Sequence, residues 1–126
     1  MQNLLYIRLR AVNRDLKFDR EYIIELGRNL FKHWYVVVTF GRYTAWGTSR
    51  TKTFDTREEA CAFINSRLRR RLSSPKRIGC CYQIISFNAK DDILASINDT
   101  IMGRFSWFEN EQNRSHCKKM LNYYPQ

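Results

Sequence analysis

A chain of 126 residues is long enough for one packed core and too short for two full ones, and 44% hydrophobic with 14% aromatic content, two prolines and five glycines excludes a disordered or fibrous class. The formal net charge is +10, and residues 1–84 supply all of it, with 17 Lys and Arg against 7 Asp and Glu, whereas residues 85–126 hold 5 of each. A field of that sign gathers polyanions, nucleic acid foremost, although an anionic membrane or an acidic protein responds to it too.

In chain order, Leu5, Ile7, Leu9 and Ala11 alternate with Tyr6, Arg8 and Arg10, the period of a strand with one buried and one basic face. Tyr22 to Leu26 reads as a second strand. After a turn at Gly27-Arg28-Asn29, Trp34 to Phe40 is so rich in aromatic and β-branched residues that it makes the strongest strand signal, ended by Gly41. Arg50 to Phe54 alternates again, with Arg50, Lys52 and Phe54 on one face, and the four segments suggest an antiparallel meander. Thr56-Arg57-Glu58-Glu59 has the form of a capping box, in which the threonine hydroxyl caps a helix and the glutamate reaches back to the Thr56 amide. Ala60, Phe63, Ile64, Leu68 and Leu72 then give one apolar stripe, and Ser73-Ser74-Pro75 stops the helix. Arg67, Arg69, Arg70, Arg71, Lys76 and Arg77 wrap its end with positive charge, part of which complements the helix dipole.

Tyr82 to Phe87 reads as a last strand. Ile93, Ile97, Ile101 and Phe105, with Leu94 and Met102 beside them, predict an amphipathic helix from near Asp91, and a second is expected from about Asn110 to Tyr123. The fold class is therefore α+β, a small antiparallel sheet with one packed helix plus a C-terminal helical extension. The expected division is a basic body over 1–84 and a neutral extension over 85–126, packed on or beside it as a lid or offered to a partner.

Metal and catalytic chemistry find little support. Cys80-Cys81 and His116-Cys117 lack the two-residue spacing of zinc ligands, and adjacent cysteines rarely aim both sulfurs at one tetrahedral ion. His33 has no serine or cysteine at a recognisable motif spacing, and Asp91-Asp92 suits a helix N-terminus better than a pair of catalytic carboxylates. No glycine loop cradles a phosphate. The expectation is a protein without enzymatic activity, metal or cofactor. Four cysteines without an N-terminal signal pattern, and no apolar run near the roughly 18 residues that cross a bilayer, predict a cytoplasmic protein with reduced thiols and no membrane partner.

The order Phe18-Asp19-Arg20-Glu21-Tyr22, Glu25-Leu26, Gly27, Leu30-Phe31, Trp34, Val36, Phe40-Gly41-Arg42-Tyr43, Gly47, Phe54 and Glu59-Ala60 resembles the WGR domain, a family named for its Trp-Gly-Arg triplet. The resemblance covers roughly Leu5 to Tyr82. Phe40 stands in place of the signature tryptophan, Thr44 in place of a usual second glycine, and Trp46 where a small or basic residue is common. Phenylalanine keeps the flat apolar face and loses the indole donor. The resemblance implies a small antiparallel sheet with a packed helix that holds DNA; in the poly(ADP-ribose) polymerases that carry this domain it reads DNA ends. Standalone bacterial or phage forms are the better comparison for a chain this short. By position, Phe40 would stack on a terminal nucleotide, Arg42 would meet phosphate across Gly41, and Arg20 would be a second backbone contact. Arg50, Lys52 and the Arg69, Arg70, Arg71 cluster would support them. The resulting expectation is a module that binds DNA at ends, nicks or junctions, with RNA sharing nearly every sequence feature. The alternative is a protein-interaction or regulatory module that docks an acidic partner or meets one through the C-terminal extension, an idea favoured by the lost tryptophan and by Trp107 and Phe108.

Overall fold

The computed structural model describes residues 2–15, 17–42, 47–73, 80–97 and 99–108. Alternation in the sequence becomes a five-stranded antiparallel sheet, with β1 over Gln2–Asn13, β2 over Phe18–Arg28, β3 over Trp34–Arg42, β4 over Thr48–Phe54 and β5 over Tyr82–Ala89. Its spatial order is β4-β3-β2-β1-β5, so the first four strands form the expected meander and β5 returns to the free edge of β1. Helix α1, Arg57–Leu72, makes that crossover.

Register explains the core. Leu5, Ile7 and Leu9 of β1 stand opposite Leu26, Ile24 and Tyr22 of β2 and opposite Ala89, Phe87 and Ile84 of β5. Directly opposed residues share a face, so these rows, with Val36 and Val38 of β3, make one continuous apolar surface. Two register shifts adjust it. One in β1 between Asn3 and Leu5 lets both Leu4 and Leu5 bury, and one opposite Arg8 and Leu9 sets Ile85 aside so that Tyr82, Ile84 and Phe87 all face inward despite their broken spacing.

α1 covers this surface with Ala60, Cys61, Ile64 and Leu68. Its start follows the capping signal. The Thr56 hydroxyl accepts from the Glu59 amide at 3.2 Å and donates to the Glu59 carboxylate at 3.0 Å, so the glutamate reaches back to the side chain of Thr56. The helix ends as expected at Leu72, where Ser73 caps it by donating its amide to the Arg69 carbonyl.

The stripe Ile93, Ile97, Ile101 and Phe105 does not form the single helix its spacing suggests. It is split into two one-turn helices, α2 at Asp91–Leu94 and α3 at Asp99–Met102. Between them the Ser96 amide bonds the Ile93 carbonyl in a tightened turn, in a stretch rich in Ser, Asn and Asp, residues that compete with helix interiors through local hydrogen bonds. All four apolar residues are nevertheless buried in the same core as the sheet and α1. Residues 106–108 then run beside β5. The Ile84 amide donates to the Ser106 carbonyl and the Phe108 amide to the Ile84 carbonyl, both at 2.8 Å, which covers part of that strand's outer edge. Trp107 packs against the core, and the guanidinium of Arg10 lies 5.0 Å from the Phe108 ring. The helix expected over 110–123, with His116 and Cys117, lies outside the described residues. Among the described residues no helix is long and apolar enough to cross a membrane.

Candidate nucleic-acid interface

The β2–β3 register places Arg20 directly opposite Arg42 and Tyr22 directly opposite Phe40. Like charges held opposite one another on a sheet repel. The two rings stack with centroids 6.5 Å apart at an interplanar angle of 26°, and Phe40, at the open end of the row Val36, Val38, Phe40, keeps 37% of its surface exposed. Gly41 sits between Phe40 and Arg42 with φ 157°, and a Cβ there would lie 3.0 Å from the Cα of Gly47. Only glycine combines that backbone angle with so close an approach of β3 to the start of β4.

Between α1 and the β2–β4 part of the sheet lies a cleft of about 1030 Å³. Its floor is Tyr22, Val36, Val38 and Phe40; Arg50 and Lys52 of β4 form one wall, and Arg67, Arg70 and Arg71 of α1 form the other, with Arg20 and Gly41 at one end. The cleft thus gathers Arg20, Phe40, Gly41, Arg50, Lys52, Arg70 and Arg71 from four elements. Arg42 is exposed beside it, opposite Arg20. Arg69 is exposed and takes no part in the lining; Arg67 does instead. Helix geometry gives the reason. At about 100° per residue, Arg71, Arg67 and Arg70 fall on one flank of buried Leu68 and Arg69 on the other. The apolar stripe carries that phase, but not which flank faces the sheet's open end. Lys76, Arg77 and residues 43–46 lie outside the described residues.

The aromatic side of the cleft is larger than the signature position alone suggests. The Arg71 guanidinium lies 4.1 Å from the Tyr22 ring centroid and 5.7 Å from that of Tyr82. Arg67 and Lys52 sit over Phe63 at 4.7 and 5.2 Å, and Arg20 over Phe18 at 5.1 Å. A ring face holds a cation in place without neutralising it. Burial pushes the Tyr22 phenol above its ordinary pKa, and the nearby Arg71 and Arg67 charges offset only part of that rise.

The two faces of the sheet use arginine differently. On the face away from α1, Arg8 pairs with Glu21, and Arg10 pairs with Asp19 through hydrogen bonds of 2.9 and 2.6 Å. On the cleft side, Arg20, Arg42, Arg50, Lys52, Arg67 and Arg71 make no ion pair among the described residues. Glu21 is the one carboxylate among the described lining residues, and Arg8 already holds it. Unpaired guanidinium groups, aromatic rings and an apolar floor form the combination that binds a phosphate backbone and stacks its bases.

The family model of the WGR domain matches residues 6–74, more than half of the chain. The chain belongs to the WGR domain family. WGR domains are nucleic-acid-binding modules and are generally non-catalytic. The matched span runs from β1 through α1, so it includes every strand and helix of the cleft's two walls, while Tyr82 reaches the cleft from β5 beyond the match. No curated protein matches the chain.

Proposed function

We propose that this WGR domain is a non-catalytic DNA-binding module that recognises ends, nicks or junctions through the α1–sheet cleft. One observation carries the reading: cations from β2, β4 and α1 converge on a cleft whose only described carboxylate is already ion-paired, beside a half-exposed ring at the signature position. Arg20 and Arg42 grip phosphate, Phe40 stacks where the continuous helix is interrupted, Arg50, Lys52 and Arg70 hold the flanking backbone, and Arg71 meets the strand that enters the cleft. The interior of a closed duplex offers phosphate but no open base face, which is why a discontinuity is preferred. Fluorescence anisotropy with blunt, nicked and hairpin-capped nicked-free duplexes tests this, using wild type, Arg42→Ala and Phe40→Ala checked for folding by circular dichroism. Binding that favours the interrupted duplexes and weakens in both variants is expected; equal affinity for capped and interrupted duplexes would refute it.

A second reading draws on a separate surface. At the β2–β3 turn, the Asn29 side chain accepts from the amides of Phe31 and His33, both at 3.0 Å, and holds Leu30 and Phe31 outward at 87% and 81% exposure. Two adjacent large apolar side chains on an ordered turn, beside Arg28 and Lys32, suit contact with a protein that offers an apolar pocket and acidic surroundings. Leu30→Ser with Phe31→Ser abolishes such a contact and leaves DNA binding intact.

A further inference from the structure

We infer that the cleft takes an unpaired DNA strand of about three nucleotides, so that the preferred ligand is an interrupted duplex with a single-stranded stretch and not a blunt end. This rests on the DNA-binding reading above and names the form of DNA at the same site. Arg20, Arg67 and Arg71 are half-buried, each leaning on a ring inside the cleft, and Arg71 Nε is buried with no hydrogen-bond partner among the described residues. A duplex resting across the mouth reaches exposed Arg42, Arg50 and Arg70 but leaves the inner guanidinium groups facing an empty cleft. A lone strand reaches both sets.

Size agrees. Sites of about 300 to 1,000 Å³ enclose one compact organic ligand. A nucleotide is near the lower end of that range, so a cleft of about 1030 Å³ holds on the order of three. A duplex, whose major and minor grooves alone are about 12 and 6 Å wide, does not enter such a volume. The floor supports the same ligand. Arg71 covers Tyr22, so Phe40 is the ring with an open face, and an unpaired base stacked there continues the row Arg71, Tyr22, Phe40. Val38 beside it offers apolar contact and no base-specific hydrogen bond, which predicts tolerance of sequence.

The test is a ladder of hairpin-capped duplexes with one open end bearing 0 to 6 unpaired nucleotides, measured by competition anisotropy at fixed salt with wild type, Arg71→Gln and Arg67→Gln. Affinity is expected to rise by at least about ten-fold over the first three nucleotides and then level off, as base stacking and inner phosphate contacts are completed. Either variant should lose most of that rise, whereas Arg50→Gln, at the exposed mouth, should weaken every member of the ladder by a similar factor. Phenylglyoxal modification of wild type gives a readout that needs no variant: three-nucleotide overhangs should protect Arg71 and blunt duplex should not. Equal affinity along the whole ladder, or equal protection by both ligands, overturns the unpaired-strand inference and leaves DNA binding standing. Folded protein that binds no member of the ladder overturns both.

Discussion

Replacing Arg50 by Gln removes one exposed cation from the β4 wall without touching the core, whereas Arg28→Gln removes the same charge from the far end of β2, where Arg28 sits over Trp34. Both variants lower the net charge equally, so any difference between them reports location. Among the described residues, six cations line the cleft. If each neutralises one phosphate of a strand lying in the cleft, the slope of log affinity against log salt is about −4. Wild-type affinity for such a ligand then falls by roughly a few hundred-fold between 50 and 200 mM salt. Arg50→Gln should make the slope shallower by about 0.7 to 0.9, and Arg28→Gln should leave it unchanged within error. Anisotropy titrations at four or more salt concentrations give the slopes directly. Equal slope changes in the two variants would mean that the protein attracts DNA through its overall charge and not through the cleft.

Three further outcomes follow from the geometry. Gly41→Ala adds a side chain at φ 157° and 3.0 Å from Gly47 Cα, so it should destabilise the fold by about 1 to 3 kcal/mol in urea unfolding. Thr56→Ala removes the acceptor for the Glu59 amide and should cost about 0.5 to 2 kcal/mol in the same assay, with DNA affinity of the folded protein unchanged. The Tyr22 phenol is held above its ordinary pKa of 10.0 by burial, so the fold keeps its proton longer than the unfolded chain does. The stability tied to that proton is complete below about pH 10 and is lost as pH climbs through the raised value, so the melting temperature should fall above pH 10 and Tyr22→Phe should flatten the fall.

The sheet and α1 were legible because their signals are local. The alternation of Leu5 to Ala11, the β-branched run before Phe40 and the box at Thr56 each follow from the chain's own periodicity and capping chemistry. The lengths of β1 and β2 were less legible, since their ends carry Gln2, Asn3 and Asn13 in β1 and Asp19, Arg20 and Glu21 in β2, polar residues that pairing with a neighbouring strand holds extended. Ile93, Ile97, Ile101 and Phe105 revealed which residues bury but not the backbone between them, because a single-turn helix pair can present the same four side chains to a sheet. At the site, order and spacing pointed to Arg20, Phe40, Gly41 and Arg42, and composition pointed to an arginine cluster at the end of α1. Neither signal distinguished Arg67 from Arg69, nor joined Tyr82 to Tyr22 across Arg71, because those contacts depend on how α1 and β5 sit on the sheet.

The central claim is that the α1–sheet cleft is where nucleic acid binds, and amide chemical-shift mapping of the labelled protein with a short DNA bearing a three-nucleotide overhang tests it most directly. The predicted result is perturbation concentrated at Phe18 to Tyr22, Phe40 to Arg42, Arg50 to Lys52 and Arg67 to Arg71, with Arg8, Arg10 and the Leu30–Phe31 turn unmoved. Perturbation centred on that turn or on the ion-paired face of the sheet, with the cleft residues still, would contradict it.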